Sequence, residues 1–132
     1  ERNAPAFIAL TAARHAERAV ISEYHAIGST GGITMLRKGR WKYVHCVRYR
    51  PQLFDLETDP EELVDLGGDP AHRAMIAALE AELRRFCDPE EVDARAKRCQ
   101  AQTLARHGGR EAVLARGDLN YTPAPGQMPD MN

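Results

Sequence analysis

The stretch ITMLRKGRWKYVHCVRYRPQLFD, residues 33–55, constrains this chain most, because strand-forming residues flank a single Lys38-Gly39 pair. Glycine readily takes the positive φ that a two-residue hairpin turn needs, so strands over about 33–37 and 40–47 are expected to fold back on each other. Side chains alternate along the second strand. Trp41, Tyr43, His45 and Val47 therefore share one face, and Lys42, Val44 and Cys46 the other. Pro51 interrupts the ladder, leaving residues 52–55 as a short edge strand. Upstream, Val20, Ile21 and Tyr24 suit a strand over about 19–25, joined to the hairpin by the loop GSTGG at residues 28–32.

Helix-opening punctuation follows three times. Asp59 at the N-cap, Pro60 at N1 and Glu62 at N3 are the parts of a capping box. Asp69-Pro70 opens a helix expected over 70–86, whose Met75, Ile76, Leu79, Leu83 and Phe86 recur at three- and four-residue spacing. Asp88-Pro89 opens another over 90–106, with a thin stripe of Val92, Ala96, Cys99 and Thr103 that ends near Gly108-Gly109. REAVLARG reads as a shorter helix, and PAFIALTAARHAER near the start is also helix-compatible. Helices covering one face of a small antiparallel sheet bury Trp41, Tyr43 and Phe54 against the Leu79 stripe, an α+β fold. The domain is expected over 1–117, followed by an extended Pro/Gly-rich tail over 118–132. Full burial of Trp41 predicts a loss of about 3–5 kcal/mol in Trp41→Ala.

The charge changes sign along the hairpin region. Arg37, Lys38, Arg40, Lys42, Arg48 and Arg50 precede Asp55, Glu57, Asp59, Glu61, Glu62, Asp65 and Asp69. Basic residues interleaved with Trp41, Tyr43 and Tyr49 have the ingredients of a nucleic-acid surface. Two facts argue against it: the aromatic face is needed for packing, and the carboxylates that follow repel a polyanion. A formal net charge of -1 adds no overall pull, so no nucleic-acid partner is expected. No apolar run reaches the length of a membrane-spanning helix. Cys46, Cys87 and Cys99 form no CxxC pair and read as fillers of small apolar spaces. A reduced cytoplasmic protein is the simplest reading, while one disulfide plus one thiol suits the periplasm. The chain begins with Glu1 rather than Met, as expected of a processed, trimmed or subcloned piece.

The densest polar cluster is Glu23 and His25 at a strand end, with Ser29 and Thr30 in the loop beyond. Alternation puts Glu23 and His25 on one side, close enough for an oriented imidazole, yet no nucleophile stands beside them. These four residues are the candidates for a substrate cleft. His45 and Cys46 are adjacent and point to opposite faces, which makes them poor partners for one metal ion. The glycine loop lacks the Lys-Ser/Thr pair of a phosphate-cradling loop.

AVISEYH, GITMLRKGRWKYVH, PQLFDLETDPEELVDLGGDPAH and the later DPEEVDARAKRCQ, GGREAVLARG and YTPAPG together resemble the carboxy-terminal part of bacterial sulfatases, in the alkaline-phosphatase-like hydrolase superfamily. The resemblance covers nearly the whole chain and implies a small sheet-and-helix domain packed on the edge of a larger catalytic domain. It also implies a formylglycine nucleophile, made from Cys or Ser in a Cys/Ser-x-Pro-x-Arg setting, and a divalent metal such as calcium. Cys87 is followed by Asp88, Pro89, Glu90 and Glu91, so the Pro fits and the Arg is absent. No residue here is assigned a catalytic or metal-binding role, and the chain on its own is expected to be inactive. His25 and the following loop are the best candidates to reach the shared cleft. Arg37, Lys38, Arg40 and Lys42 are candidates for salt bridges to the catalytic domain or for guiding an anionic substrate. The tail is expected either to dock or to be disordered, and the resemblance implies, for some family members, a tail that crosses to another subunit of a homo-oligomer. Phosphonate monoester or phosphodiester hydrolysis, and a standalone protein-interaction module, are the alternatives.

Overall fold

A computed structural model describes residues 18–25 and 29–115. Four strands, β1 (Val20–Tyr24), β2 (Ile33–Lys38), β3 (Trp41–Cys46) and β4 (Gln52–Asp55), form one antiparallel sheet in sequence order. Two 3-10 turns, Leu66–Gly68 and Pro70–His72, lead into α1 (Arg73–Arg84), then α2 (Pro89–Arg106) and α3 (Gly109–Ala115). The fold is α+β. One compact unit ends at Ala96 and a second begins at Lys97. The helix-compatible opening, the tail over 118–132 and the boundary expected at 117 lie outside the described residues.

The hairpin turn falls one residue later than the sequence suggests. Lys38 pairs with Trp41, so Gly39 and Arg40 make the turn, with Gly39 at φ 58 as the first central residue. Only that residue has positive φ, which is the backbone of a type II′ turn. Arg40 therefore sits in the turn instead of the strand.

Register explains the core. Leu36 lies opposite Tyr43, and Tyr43 opposite Leu53, so three fully buried side chains line up across β2, β3 and β4. Leu79 and Leu83 of α1 cover them, with Ile21, Leu66, Met75, Ile76 and Cys87 packed around. Each such leucine contributes about 1.5–3 kcal/mol by leaving water. Phe54 does not join this face. It pairs with Lys42, one step out of phase with Leu53, and its ring packs on the opposite side with Lys42 Nζ 5.9 Å from its centroid. Period-2 alternation makes that parity absolute once the register is set.

Trp41 sits at the rim, half-buried, with its ring 5.8 Å from that of His72 and 5.4 Å from the Arg40 guanidinium. Partial burial lowers the expected cost of Trp41→Ala to about 2 kcal/mol, measured by denaturant unfolding. Phe86 lies past the end of α1 and is 60% exposed. The last turn tightens there, with the Phe86 and Cys87 amides both donating to the Leu83 carbonyl, and Cys87 takes the inward place.

Asp59 starts no helix. Its carboxylate accepts the Leu63 amide at 3.1 Å and the Val64 amide at 2.8 Å, and Glu62 adopts φ 58, a left-handed backbone that ends helical winding. Glu62 turns to Lys42 instead of back to the cap. Of the other two Asp-Pro pairs, Asp88 caps α2 by accepting the Glu90 and Glu91 amides, whereas Asp69 accepts the Ala71 amide and caps the 3-10 turn before α1, which begins only at Arg73 and ends at Arg84 rather than spanning 70–86. The stripe expected along the second helix is only partly inward: Pro89 and Asp93 are buried, Val92 and Ala96 half-buried, Cys99 and Thr103 exposed. Thr103 Oγ1 donates back to the Cys99 carbonyl at 2.9 Å, and Gly108 and Gly109 follow with positive φ, where the sequence marks the helix end.

The reversal of charge along the chain becomes pairing across it. Lys38 meets Glu82 at 3.3 Å, Arg40 meets Asp55 and Glu57, Lys42 meets Glu62, and Arg50 meets Asp65 at 2.8 Å. Exposed pairs of this kind contribute little singly, about 0–1 kcal/mol. Asp55 differs because it is buried, and its hydrogen bonds from Arg40 hold its carboxyl down to about 2, from an ordinary 3.8. A folded-state value below the unfolded one stabilises above about pH 4, and that contribution is lost as pH falls through about 2. Arg40→Met is therefore expected to lower stability above pH 4 and to flatten its decline between pH 4 and 2, which acid titration followed by circular dichroism measures. Among the described residues, no helix is long and apolar enough to cross a membrane.

Candidate functional site

The Gly31-Gly32 segment is the hub around which the candidate residues gather. A side chain on residue 31 would put its Cβ 2.5 Å from the Val47 carbonyl oxygen, so only glycine lets the loop lie against the end of β3. The Val47 amide donates to the Gly32 carbonyl at 3.0 Å. At the other end of the same residue, the Gly32 amide donates to Asp93 Oδ1 at 2.7 Å, a buried bond between residues far apart in sequence. A Cβ on residue 32 would stand 2.7 Å from His25 Cε1 and 3.3 Å from the Asp93 Cβ, so the glycine is held between the imidazole and the helix. His25 is half-buried, and its Nε2 lies 3.7 Å from Glu23 Oε2.

Ser29 and Thr30 belong to a second cluster. The Ser29 hydroxyl donates to the Gly31 carbonyl, and Thr30 Oγ1 lies 3.0 Å from the Tyr49 hydroxyl. Arg48, at φ 74, reaches the Thr30 carbonyl at 3.5 Å. Ser29, Thr30 and Tyr49 border an open cleft of about 480 Å³ that is also lined by Ile33, Cys46 and Val47. Glu23 and His25 do not line it. The four cleft candidates thus divide into two pairs on a shared glycine hinge. Arg37 is exposed, whereas Lys38, Arg40 and Lys42 are engaged by carboxylates of this chain.

Asp93 and Glu90 are residues that sequence reasoning missed, and Tyr49 reads there only as an aromatic among basic residues. Asp93 lies four residues after Pro89, hence on the same helix face, and that spacing was the available signal. Glu90 is held down to about 2 by hydrogen bonds from Arg84 and also lies 3.1 Å from His45 Nε2. His45 and Cys46 do point to opposite faces: His45 meets Glu90, while Cys46 lines the cleft. All three cysteines are free, and burial pushes the Cys46 and Cys87 thiols up, away from the reactive thiolate. Among the described residues, no group of three or more His, Cys, Asp or Glu side chains converges to hold a metal ion. The residues described here therefore do not fit a divalent-metal centre.

The described residues form a four-stranded antiparallel sheet with helices, an α+β fold, with a clamped glycine loop. The chain's relatives are sulfatases, over part of its length. The choline-sulfatase of Rhizobium meliloti (strain 1021) is 37% identical over 86 residues, 63% of this chain and 17% of that protein. Arylsulfatase K of Mus musculus is 32% identical over 78 residues, 57% of this chain and 14% of that protein. A solved 2-O GAG sulfatase is 29% identical, with a TM-score of 0.48 over 60% of this chain and 16% of that one. No family model matches the sequence. The chain spans less than a fifth of the length of the curated relatives it matches.

Proposed function

We propose that this chain is the carboxy-terminal part of a hydrolase of sulfate esters, and that it shapes the substrate cleft without carrying the reacting groups. The observation that carries this reading is the 37% identity to a choline-sulfatase over 86 residues. The formylglycine nucleophile and the divalent metal are then supplied by another part of the parent protein. That division agrees with the elevated thiols of Cys46 and Cys87 and with the missing Arg after Cys87-x-Pro. His25, at the end of β1, is the residue assigned to the cleft wall. It would contact the ester or its alcohol, from a position fixed by the Gly31-Gly32 loop.

The test uses the complete gene product alongside the 132-residue chain. The complete protein is expected to hydrolyse a sulfate ester, with choline sulfate and an aryl sulfate as first substrates and a phosphonate monoester as comparison. The chain alone is expected to show no turnover. His25→Ala in the complete protein is expected to lower kcat/KM by about tenfold or more, unevenly across esters of different alcohols, with little change in unfolding midpoint. Equal kinetics on every ester would remove His25 from the cleft. A parent with faster phosphonate than sulfate turnover would reassign the reaction.

A further inference from the structure

We infer that Asp93 is a positioning residue: its carboxylate holds the Gly32 amide and thereby sets the His25 imidazole. The catalytic consequence of this inference rests on the cleft role proposed above for His25, whereas the clamp itself does not.

Three observations converge on residue 32. Asp93 is 5% exposed, a depth at which a carboxylate is kept only where something donates to it, and the Gly32 amide does so at 2.7 Å. The carbonyl of the same residue accepts the Val47 amide at 3.0 Å, so both ends of Gly32 are tied, one to α2 and the other to the end of β3. The imidazole lies against the bare α-carbon: a Cβ there would be 2.7 Å from Cε1 and 2.8 Å from Nδ1. Any shift of the loop is therefore felt directly by the ring. Glu23 faces the ring from β1, with its Oε2 3.7 Å from Nε2. The imidazole is thus bounded by its own strand end and by a loop whose place is set from a helix more than sixty residues away. A side chain offered to substrate works only when held to a fraction of an ångström by neighbours that are themselves locked. Asp93 is the locking group on the helix side.

The test has a spectroscopic arm and a kinetic arm. In the 132-residue chain, the His25 Hε1 resonance and the Gly32 amide are followed by NMR in Asp93→Ala and Asp93→Asn. Loss of the acceptor in Asp93→Ala is expected to move both signals and to expose the amide to faster hydrogen exchange. Asp93→Asn keeps a carbonyl oxygen in place and is expected to restore both towards the parent positions. If Asp93→Ala does not fold, Asp93→Ser, too short to reach the amide, takes its place. In the complete protein, Asp93→Ala is expected to lower kcat by about tenfold, with rescue by Asn, and to have almost no further effect in a His25→Ala background. A folded Asp93→Ala or Asp93→Ser chain with unmoved His25 Hε1 overturns the inference whatever the kinetics, and equal losses in both backgrounds reduce Asp93 to a structural role. Moved ring signals beside an unaffected His25→Ala enzyme would uphold the clamp and discard the cleft role of His25.

Discussion

Tyr43→Ala is expected to destabilise the chain by about 3–5 kcal/mol, the largest effect of any single truncation in it. Tyr43 is fully buried at the middle of β3, flanked by Leu36 and Leu53 and covered by Leu79 and Leu83. Removing the ring opens a cavity between sheet and helix that neither can collapse to fill. Tyr43→Phe keeps the ring and gives up only a hydroxyl 3.5 Å from His45 Nδ1, so its cost is expected below about 1 kcal/mol. Urea unfolding separates the two, provided the denaturant slope is unchanged. A loss under about 1 kcal/mol for Tyr43→Ala would mean that the helix does not close over the sheet in solution.

Gly31→Ala comes next, with an expected loss of about 1–3 kcal/mol or more. The added Cβ would lie 2.5 Å from the Val47 carbonyl oxygen, and a backbone atom cannot rotate out of the way. The loop must lift, which strains the Val47–Gly32 hydrogen bond and moves Ser29 and Thr30 at the cleft. Gly68→Ala is the control. Its nearest neighbour is the tip of the Arg50 side chain at 3.1 Å, which can yield, and little change is expected. Thermal unfolding of the two variants side by side checks the contrast, and equal midpoints would show that the loop has another way to fit.

Local chemistry accounts for what the sequence alone determined. Alternation around Gly39 called for the hairpin, and the Asp69-Pro70 and Asp88-Pro89 pairs marked two helix starts, because turn geometry and capping depend on residues within four of one another. The same locality put Leu79 and Leu83 on one face of α1 and separated His45 from Cys46. Its limits show at Asp59, whose flanking residues spell a capping box yet whose carboxylate goes to Leu63 and Val64 while Glu62 goes to Lys42. A partner from another strand won over a partner one turn away.

Long-range register decided the rest. Whether Phe54 or Leu53 faces the helices depends on a one-residue offset between β3 and β4, and only strand pairing sets that offset. The opposed blocks of charge gave no hint of who pairs with whom until Arg40 entered the turn and met Asp55. Asp93 is the clearest case. As letters it is one acid among many on a charged helix, and its meaning comes from the Gly32 amide, more than sixty positions earlier, reaching it inside the fold. Sequence pattern reports the nearest few side chains along the chain, whereas a buried carboxylate is positioned by donors that only tertiary packing brings within hydrogen-bond range.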